Sequence, residues 1–243
     1  MKKLFLAFML AVGFATAQAQ VTGNLGLTSD YRYRGVSQTQ NAPAVQGGID
    51  YAHSSGLYVG NWNSSVSSQV YTNGSGIESD LYAGFKKDVY KGITIDVGSY
   101  NYFYPRATTT TGGNNFDTNE LYAGVGYGPA SVKYSQSLSN YFGIANSKNS
   151  EYFQADVNYV LPFKGFDKVS LIAHAGRTNV NNNSNLNYSD YNAGVGYDLQ
   201  GWNLAVKYYT NTSEGSAFQS ANTVSGQKLY KNATVLSVTK TFE

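Results

Sequence analysis

The sequence predicts an all-β protein and, within that class, a transmembrane up-and-down antiparallel β-barrel of about twelve strands. Three observations predict it. One strand-like segment recurs with its alternation intact, the connections switch between long polar loops and short turns, and aromatic residues gather at both ends of the apolar faces. The recurring segment is Glu120-Leu121-Tyr122-Ala123-Gly124-Val125-Gly126-Tyr127. It returns almost residue for residue as Asp190-Tyr191-Asn192-Ala193-Gly194-Val195-Gly196-Tyr197. Its first part returns as Asp80-Leu81-Tyr82-Ala83-Gly84-Phe85, and Val45-Gln46-Gly47-Gly48-Ile49-Asp50-Tyr51 is a looser copy. Successive side chains of a strand point to opposite faces. Leu121, Ala123, Val125 and Tyr127 therefore share an apolar face, and Glu120, Tyr122, Gly124 and Gly126 a polar or empty one. A soluble sandwich would use the apolar face as its core, whereas a membrane barrel turns that face to lipid and encloses the other.

Composition narrows the class. Of 243 residues 42% are hydrophobic and only 13% charged, with 26 Gly and 22 Tyr, a balance that favours strands over helices rich in Glu, Lys and Leu. At the N-terminus Lys2 and Lys3 precede the apolar run Leu4 to Phe14, and Ala17-Gln18-Ala19 supplies a small-x-small cleavage pattern. Residues 1–19 therefore read as a secretory signal peptide and residues 20–243 as a single barrel. The apolar run is too short for a spanning helix. Loss of Lys2 and Lys3 takes Lys+Arg from 17 to 15, equal to the 15 Asp+Glu, so the mature chain is formally neutral and no nucleic-acid partner is implied. Without Cys there is no disulfide framework and no lipoprotein anchor.

Each strand follows from period-two alternation. The first runs from about Val21 to Tyr33, with Leu25, Leu27, Tyr31 and Tyr33 opposing Asn24, Thr28, Asp30, Arg32 and Arg34. The second lies near Ala44 to Ala52, and His53-Ser54-Ser55-Gly56 turns into a third from Leu57, whose phase conflict with Tyr58 and Trp62 predicts a bulge. The fourth covers Ile77 to Lys87, and Asp88 to Gly92 turns into a fifth in which Ile93, Ile95 and Val97 oppose Thr94, Asp96 and Gly98. The recurring segment is the sixth, and Gly128-Pro129 turns it into a seventh with Val132, Tyr134 and Leu138 opposing Lys133, Ser135, Ser137 and Ser139. Phe153, Ala155, Val157 and Tyr159 mark the eighth, and a turn through Pro162 and Gly165 leads to a ninth in which Val169, Leu171, Ala173 and Ala175 oppose Ser170, His174 and Gly176. The second full copy of the segment is the tenth strand. Leu199-Gln200-Gly201 turns it into an eleventh with Trp202, Leu204, Val206 and Tyr208, and the twelfth runs from Leu229 to Phe242.

Long polar loops alternate with these turns: Ala107 to Asn115, Gly143 to Asn149, Asn179 to Asn187 and Asn211 to Gln227 are among them. Barrels of the outer membrane have this asymmetry, with long outer loops and short periplasmic turns, whereas Greek-key sandwiches scatter the lengths. Tyr51, Phe85, Tyr127, Tyr159, Tyr197, Trp202 and Phe242 fall near the turn ends, and Tyr31, Tyr33, Phe103, Tyr191 and Tyr208 near the loop ends, as two interfacial belts would. Phe242, followed by Glu243, places an aromatic beside the C-terminus, the usual signal for the barrel-assembly machinery.

Ser29-Asp30-Tyr31-Arg32-Tyr33-Arg34-Gly35-Val36-Ser37-Gln38, then Pro43 to Tyr51, then Gly56-Leu57-Tyr58-Val59-Gly60, resemble the opening of the TorF-type porin family. These are exported Gram-negative proteins also described as conserved proteins of unknown function. The likeness covers residues 21 to 62 and implies an outer-membrane barrel; it brings no substrate and no catalytic residues.

A lysine or arginine facing lipid at mid-depth costs about 2–4 kcal/mol, so the shared phase of the charges assigns them to the lumen. The candidate pore-lining residues are Asp30, Arg32, Arg34, Asp80, Lys133, His174, Asp190 and Lys207. Arg32 and Arg34 opposite Asp80 and Asp190 would set up a transverse field for polar solutes, or the charges pair with one another to hold the interior together. Gly48, Gly84, Gly124, Gly126, Gly194 and Gly196 would leave a channel, or receive the rings of Tyr100, Tyr102, Tyr152 and Tyr209. His53 and His174 have no nucleophile and orienting carboxylate in a motif, which argues against an enzyme. No metal or cofactor is called for. The expected function is passive diffusion of small polar solutes across the outer membrane of a Gram-negative bacterium, with membrane lipid as the surrounding partner. The alternative is a plugged barrel whose loops bind a partner.

Overall fold

The computed structural model describes residues 20–110 and 112–243. The signal-peptide reading of residues 1–19 lies outside the described residues. Twelve strands close into one antiparallel barrel. They are β1 (Gln20–Thr28), β2 (Ala44–Ala52), β3 (Leu57–Ser65), β4 (Ile77–Tyr90), β5 (Ile93–Phe103), β6 (Thr118–Tyr127), β7 (Ala130–Ser137), β8 (Glu151–Val160), β9 (Val169–Asn179), β10 (Tyr188–Leu199), β11 (Trp202–Asn211) and β12 (Ala233–Phe242). Each pairs with its neighbours in sequence, and β1 closes on β12 from Gly23↔Phe242 to Thr28↔Ser237. Closure leaves no sheet edge unpaired, the condition for a sheet to sit in lipid. Two hairpins are tight because Lys91-Gly92 and Gln200-Gly201 hold positive φ at both central positions (43° and 84°, 54° and 83°), the twist that matches antiparallel strands.

The alternation resolves as an apolar outer wall and a polar lumen. Val125, Val195 and Leu204 stay 46%, 48% and 38% exposed on the outside with no second sheet over them. Tyr127, Tyr159, Tyr197, Trp202 and Phe242 are exposed on the same surface near the turns, and Tyr191 and Tyr208 nearer the loops. A closed barrel that exposes this much apolar surface has lipid as its solvent. Near the loop ends of β3 to β6 the outer face turns polar. Asn63 Nδ2 donates to Asn61 Oδ1 at 2.5 Å and Asn119 Nδ2 to Asn101 Oδ1 at 2.7 Å, forming amide pairs suited to headgroup level.

Four expectations are corrected. First, β1 ends at Thr28, and residues 29–43 leave the wall and enter the barrel, so Tyr31 and Tyr33 belong to the interior and not to an outer belt. The cause is local. The Asp30 carboxylate gathers Arg32, Ser37 and Thr39, and such side-chain bonds compete with an extended ladder. Second, β3 carries no bulge: its register is regular from Leu57↔Phe85 to Ser65↔Ile77, and Trp62 points inward against Tyr31 with ring centroids 5.4 Å apart. The irregularity sits in β4, between Asp88 and Tyr90. Third, connection lengths do not alternate strictly, because the turn over 161–168 is as long as the loop over 180–187. Fourth, β12 starts at Ala233. Leu229 is 2% exposed inside the preceding loop, which also holds helix α1 (Gly215–Ala221) and a short hairpin of Thr223–Val224 with Gln227–Lys228.

Val195 on the outer wall gives a direct check of the lipid-facing assignment. Val195→Arg is expected to lower refolding stability in phospholipid vesicles by about 2–4 kcal/mol, read from urea titrations followed by tryptophan fluorescence.

Candidate functional site: a luminal strap over a polar vestibule

Residues 29–43 form a strap across the lumen. Arg32–Tyr33 pairs with Val36–Ser37, and the two-residue turn Arg34-Gly35 has φ of 47° and 76°. A side chain on Gly35 would put its Cβ 2.7 Å from the Asp190 Cβ, so glycine is required there by both conformation and contact. Asp30 braces the base of the strap: Arg32 Nε donates to Oδ2 at 2.7 Å, and Ser37 Oγ and Thr39 Oγ1 donate to Oδ1 at 2.5 and 3.2 Å. The turn throws Arg34 to the opposite wall. Its Nη1 and Nη2 donate to Glu120 Oε1 and Oε2 at 2.9 and 2.7 Å, Nη1 also reaches the Tyr141 hydroxyl at 2.9 Å, and the guanidinium lies 4.0 Å from the Tyr152 ring centroid. A forked, buried, aromatic-stacked geometry of this kind suits arginine and not lysine.

Further bonds pin the strap around the barrel. Tyr31 donates to Glu78 Oε1 at 3.1 Å, Tyr33 to the Tyr102 hydroxyl at 2.8 Å, Asn211 Nδ2 to the Gly35 carbonyl at 3.1 Å and Arg32 Nη1 to the Lys231 carbonyl at 2.6 Å. Above it, on the side of β2 to β6, Tyr31, Trp62, Tyr71, Tyr102 and Tyr104 pack as a core, with Tyr71 and Tyr104 stacked at 4.0 Å. On the other side Val36, Tyr188, Phe218 and Leu229 form a second cluster, which seats α1 on the strap. Much of the loop end of the barrel is therefore filled by protein.

Beside and below the strap the lumen is polar, buried at Asp80 and Asp190 and partly exposed at Asp50 and Asp96. Tyrosine hydroxyls end on carboxylates: Tyr58 on Asp96 at 2.7 Å, Tyr82 on Asp50 at 2.5 Å, Tyr100 on Asp80 at 3.1 Å and Tyr152 on Asp190 at 3.1 Å. Glycines make room for several rings, Gly60 for Tyr82, Gly84 for Tyr58, Gly98 for Tyr122 and Gly176 for Tyr152. Of the glycines the sequence put forward for this, Gly84 takes a ring, that of Tyr58 from the neighbouring strand. Gly124 and Gly194 lie beside lysines: a Cβ on each would come within 3.5 Å of Lys133 Cβ and 2.9 Å of Lys207 Cγ.

The eight candidate residues fall as follows. Asp30 and Arg32 are paired within the strap and Arg34 is its tip. Asp80 is 1% exposed beneath the aromatic core. His174 bridges two carboxylates, Nδ1 to Asp156 at 2.6 Å and Nε2 to Asp190 at 3.0 Å. Lys133 lies 5.2 Å from the Tyr122 ring centroid, and Lys207 faces a cavity of about 110 Å³ between the strap and the wall. The arginines thus pair with Glu120 and Asp30, and Asp190 with His174, so the opposition of Arg32 and Arg34 to Asp80 and Asp190 is not what the geometry shows. Sequence reasoning missed Glu120 as the arginine's partner, although it heads the recurring segment on the inward face. It also missed that the recurrence extends across the hairpin. Gly124↔Lys133 and Ala123↔Tyr134 in β6–β7 match Gly194↔Lys207 and Ala193↔Tyr208 in β10–β11, and Val132-Lys133-Tyr134 reappears as Val206-Lys207-Tyr208.

Comparison places this barrel among known ones. A family model described as "Bacterial protein of unknown function (Gcw_chp)" matches residues 13–242. No curated protein matches the chain. Among solved structures, the NanC porin is similar with a TM-score of 0.58 at 9% identity, over 92% of this chain and 100% of that one. The KdgM porin is similar with a TM-score of 0.55 at 8% identity, over 91% and 98%. At these identities the likeness shows a shared porin-like barrel fold.

The strap's hold on the far wall is open to measurement. Arg34→Ala leaves Glu120 buried without its partner, a change worth about 3–5 kcal/mol for a buried pair. Hydrogen exchange of the amides over 29–43 is expected to accelerate more than tenfold, while β6 and β10 keep their protection.

Proposed function

The chain belongs to the Gcw_chp family of bacterial proteins of unknown function, and we propose that it is an outer-membrane channel for passive diffusion of small polar solutes. The observation that carries this reading is the closed wall that turns Asp96, Lys133, Asp156, His174 and Lys207 inward onto a partly exposed polar vestibule. Solutes would pass along the side of β1 and β8 to β12, where the cavity lies between strap and wall. The opposite side is filled by aromatic rings. Transport of this kind is non-enzymatic and needs no cofactor, since wall groups replace part of a solute's hydration. Membership of the TorF-type porins, suggested by residues 29–38, 43–51 and 56–60, is part of this proposal. So do cleavage after Ala19, assembly through the Phe242 terminus and insertion in Gram-negative outer membranes. Asp30, Arg32, Arg34, Asp80, Lys133, His174, Asp190 and Lys207 are its luminal set.

A second reading has its own support: Phe218 and Leu229 are 1% and 2% exposed in a cap that packs like a protein core. On that reading the barrel is plugged, and the surface loops over 107–115 and 211–227 bind a partner.

Planar-bilayer recordings separate the two. The channel reading expects small single-channel steps from the refolded protein and larger ones from Arg34→Ala, whose strap is no longer latched to Glu120. Absence of steps from both proteins favours the plug. N-terminal sequencing of the protein purified from outer membranes should begin at Gln20.

A further inference from the structure

Beneath the strap, the cavity of about 110 Å³ is bounded by charged residues of unequal standing. Asp30 and Arg32 line it but neutralise each other at 2.7 Å, and Asp30 also accepts from Ser37 and Thr39. Arg32 spends its remaining donors on the Gly35 and Lys231 carbonyls and on Asn41. Lys207, the third charged lining residue, has no ion pair and no hydrogen bond among the described residues. Asp156, whose field reaches Lys207, is already held by His174 at 2.6 Å and by Gln154 at 2.6 Å. Around Lys207, the Ser170 and Tyr209 hydroxyls and the Asn203 amide also line the cavity, and none of them has a protein hydrogen-bond partner among the described residues. The stem of Lys207 is laid along the wall by its cross-strand neighbour Gly194, whose missing side chain gives it room.

The cavity holds one ammonium without an ion pair and three free polar donors against one unpartnered acceptor, Asn158 Oδ1, an excess of donors that suits a single negative charge. We infer that Lys207, with Ser170, Asn203 and Tyr209, forms an anion subsite that takes the carboxylate of a small acidic solute. This rests on the channel reading for its place on a transport path, but binding at the subsite does not require conduction. Lys133, the equivalent residue of the first hairpin, stands over the Tyr122 ring at 5.2 Å from its centroid, a partner that Lys207 lacks among the described residues.

The test uses the full mature chain refolded in detergent, with trifluoroacetate as the probe and its ¹⁹F line width as the readout. Wild type is expected to broaden the line, Lys207→Gln to abolish the broadening and Lys207→Arg to retain it. Lys164→Gln, which removes the same charge from an exposed turn, retains it too. Far-UV circular dichroism confirms that each variant is folded. Equal broadening by wild type and folded Lys207→Gln, or none by wild type, overturns the subsite. In bilayers under a tenfold KCl gradient, Lys207→Gln should move the reversal potential away from anion preference. Lys207-dependent broadening without conductance sinks the channel and leaves the subsite standing. Conductance whose ion preference ignores Lys207, together with no Lys207-dependent broadening, sinks the subsite and leaves the channel.

Discussion

A barrel wall is one residue thick, so each side chain's parity along its strand assigns it to lipid or to the lumen, with nothing between. Every other feature of this molecule is subordinate to that constraint. It explains why β12 and β1 must meet, since an open edge would leave backbone donors and acceptors without partners in a medium that supplies none. It also explains why Glu120, Asp156, His174, Asp190 and Lys207 keep one phase over five strands while Val125, Val157, Val195 and Val206 keep the other.

Enclosing so many ionisable groups creates a second problem, because buried charges need partners. The lumen meets it in two ways. Near the loops the arginines of the strap form forked or bridged pairs with Glu120 and Asp30. Nearer the turns, and under the aromatic core, tyrosine hydroxyls serve as donors to carboxylates, and glycines on adjacent strands give the rings room. The abundance of Tyr and Gly thus has a mechanical meaning in this chain. A phenol fills volume as an aromatic ring and delivers a donor at its far end, which an aliphatic residue of similar bulk does not.

The strap divides the interior into two regimes. Outward of it the packing is that of a globular core, with Tyr71 stacked on Tyr104 and Phe218 enclosed by Val36, Tyr188 and Leu229. Turnward of it the side chains are half-exposed and hydrogen-bonded in short local sets. Arg34 joins the regimes, since the same guanidinium that latches the strap to β6 also lies over the β8 ring of Tyr152, which bonds the His174 and Asp190 pair.

Strand number, antiparallel order, the inward phase of the charges and the segment repeat were legible in the residues, because period-two alternation depends only on neighbours along the chain and the lipid-lumen contrast makes it strong. The course of residues 29–43 was not legible. Tyr31, Arg32, Tyr33 and Arg34 alternate as a strand would, and what draws them inside is Glu78, Tyr102 and Glu120, each from a distant strand and brought near only by closure. Trp62 misled for the same reason: its bulk suggested a broken phase until Tyr31 supplied the ring it packs on. The pairing of Gly194 with Lys207 was written in the repeat, but its register across the hairpin had to be seen. Sequence by itself determined which residues face in and which face out. Only the tertiary structure decided which inward charges find protein partners among the described residues and which, like that of Lys207, do not, because pairing depends on distances across the lumen that strand order does not contain.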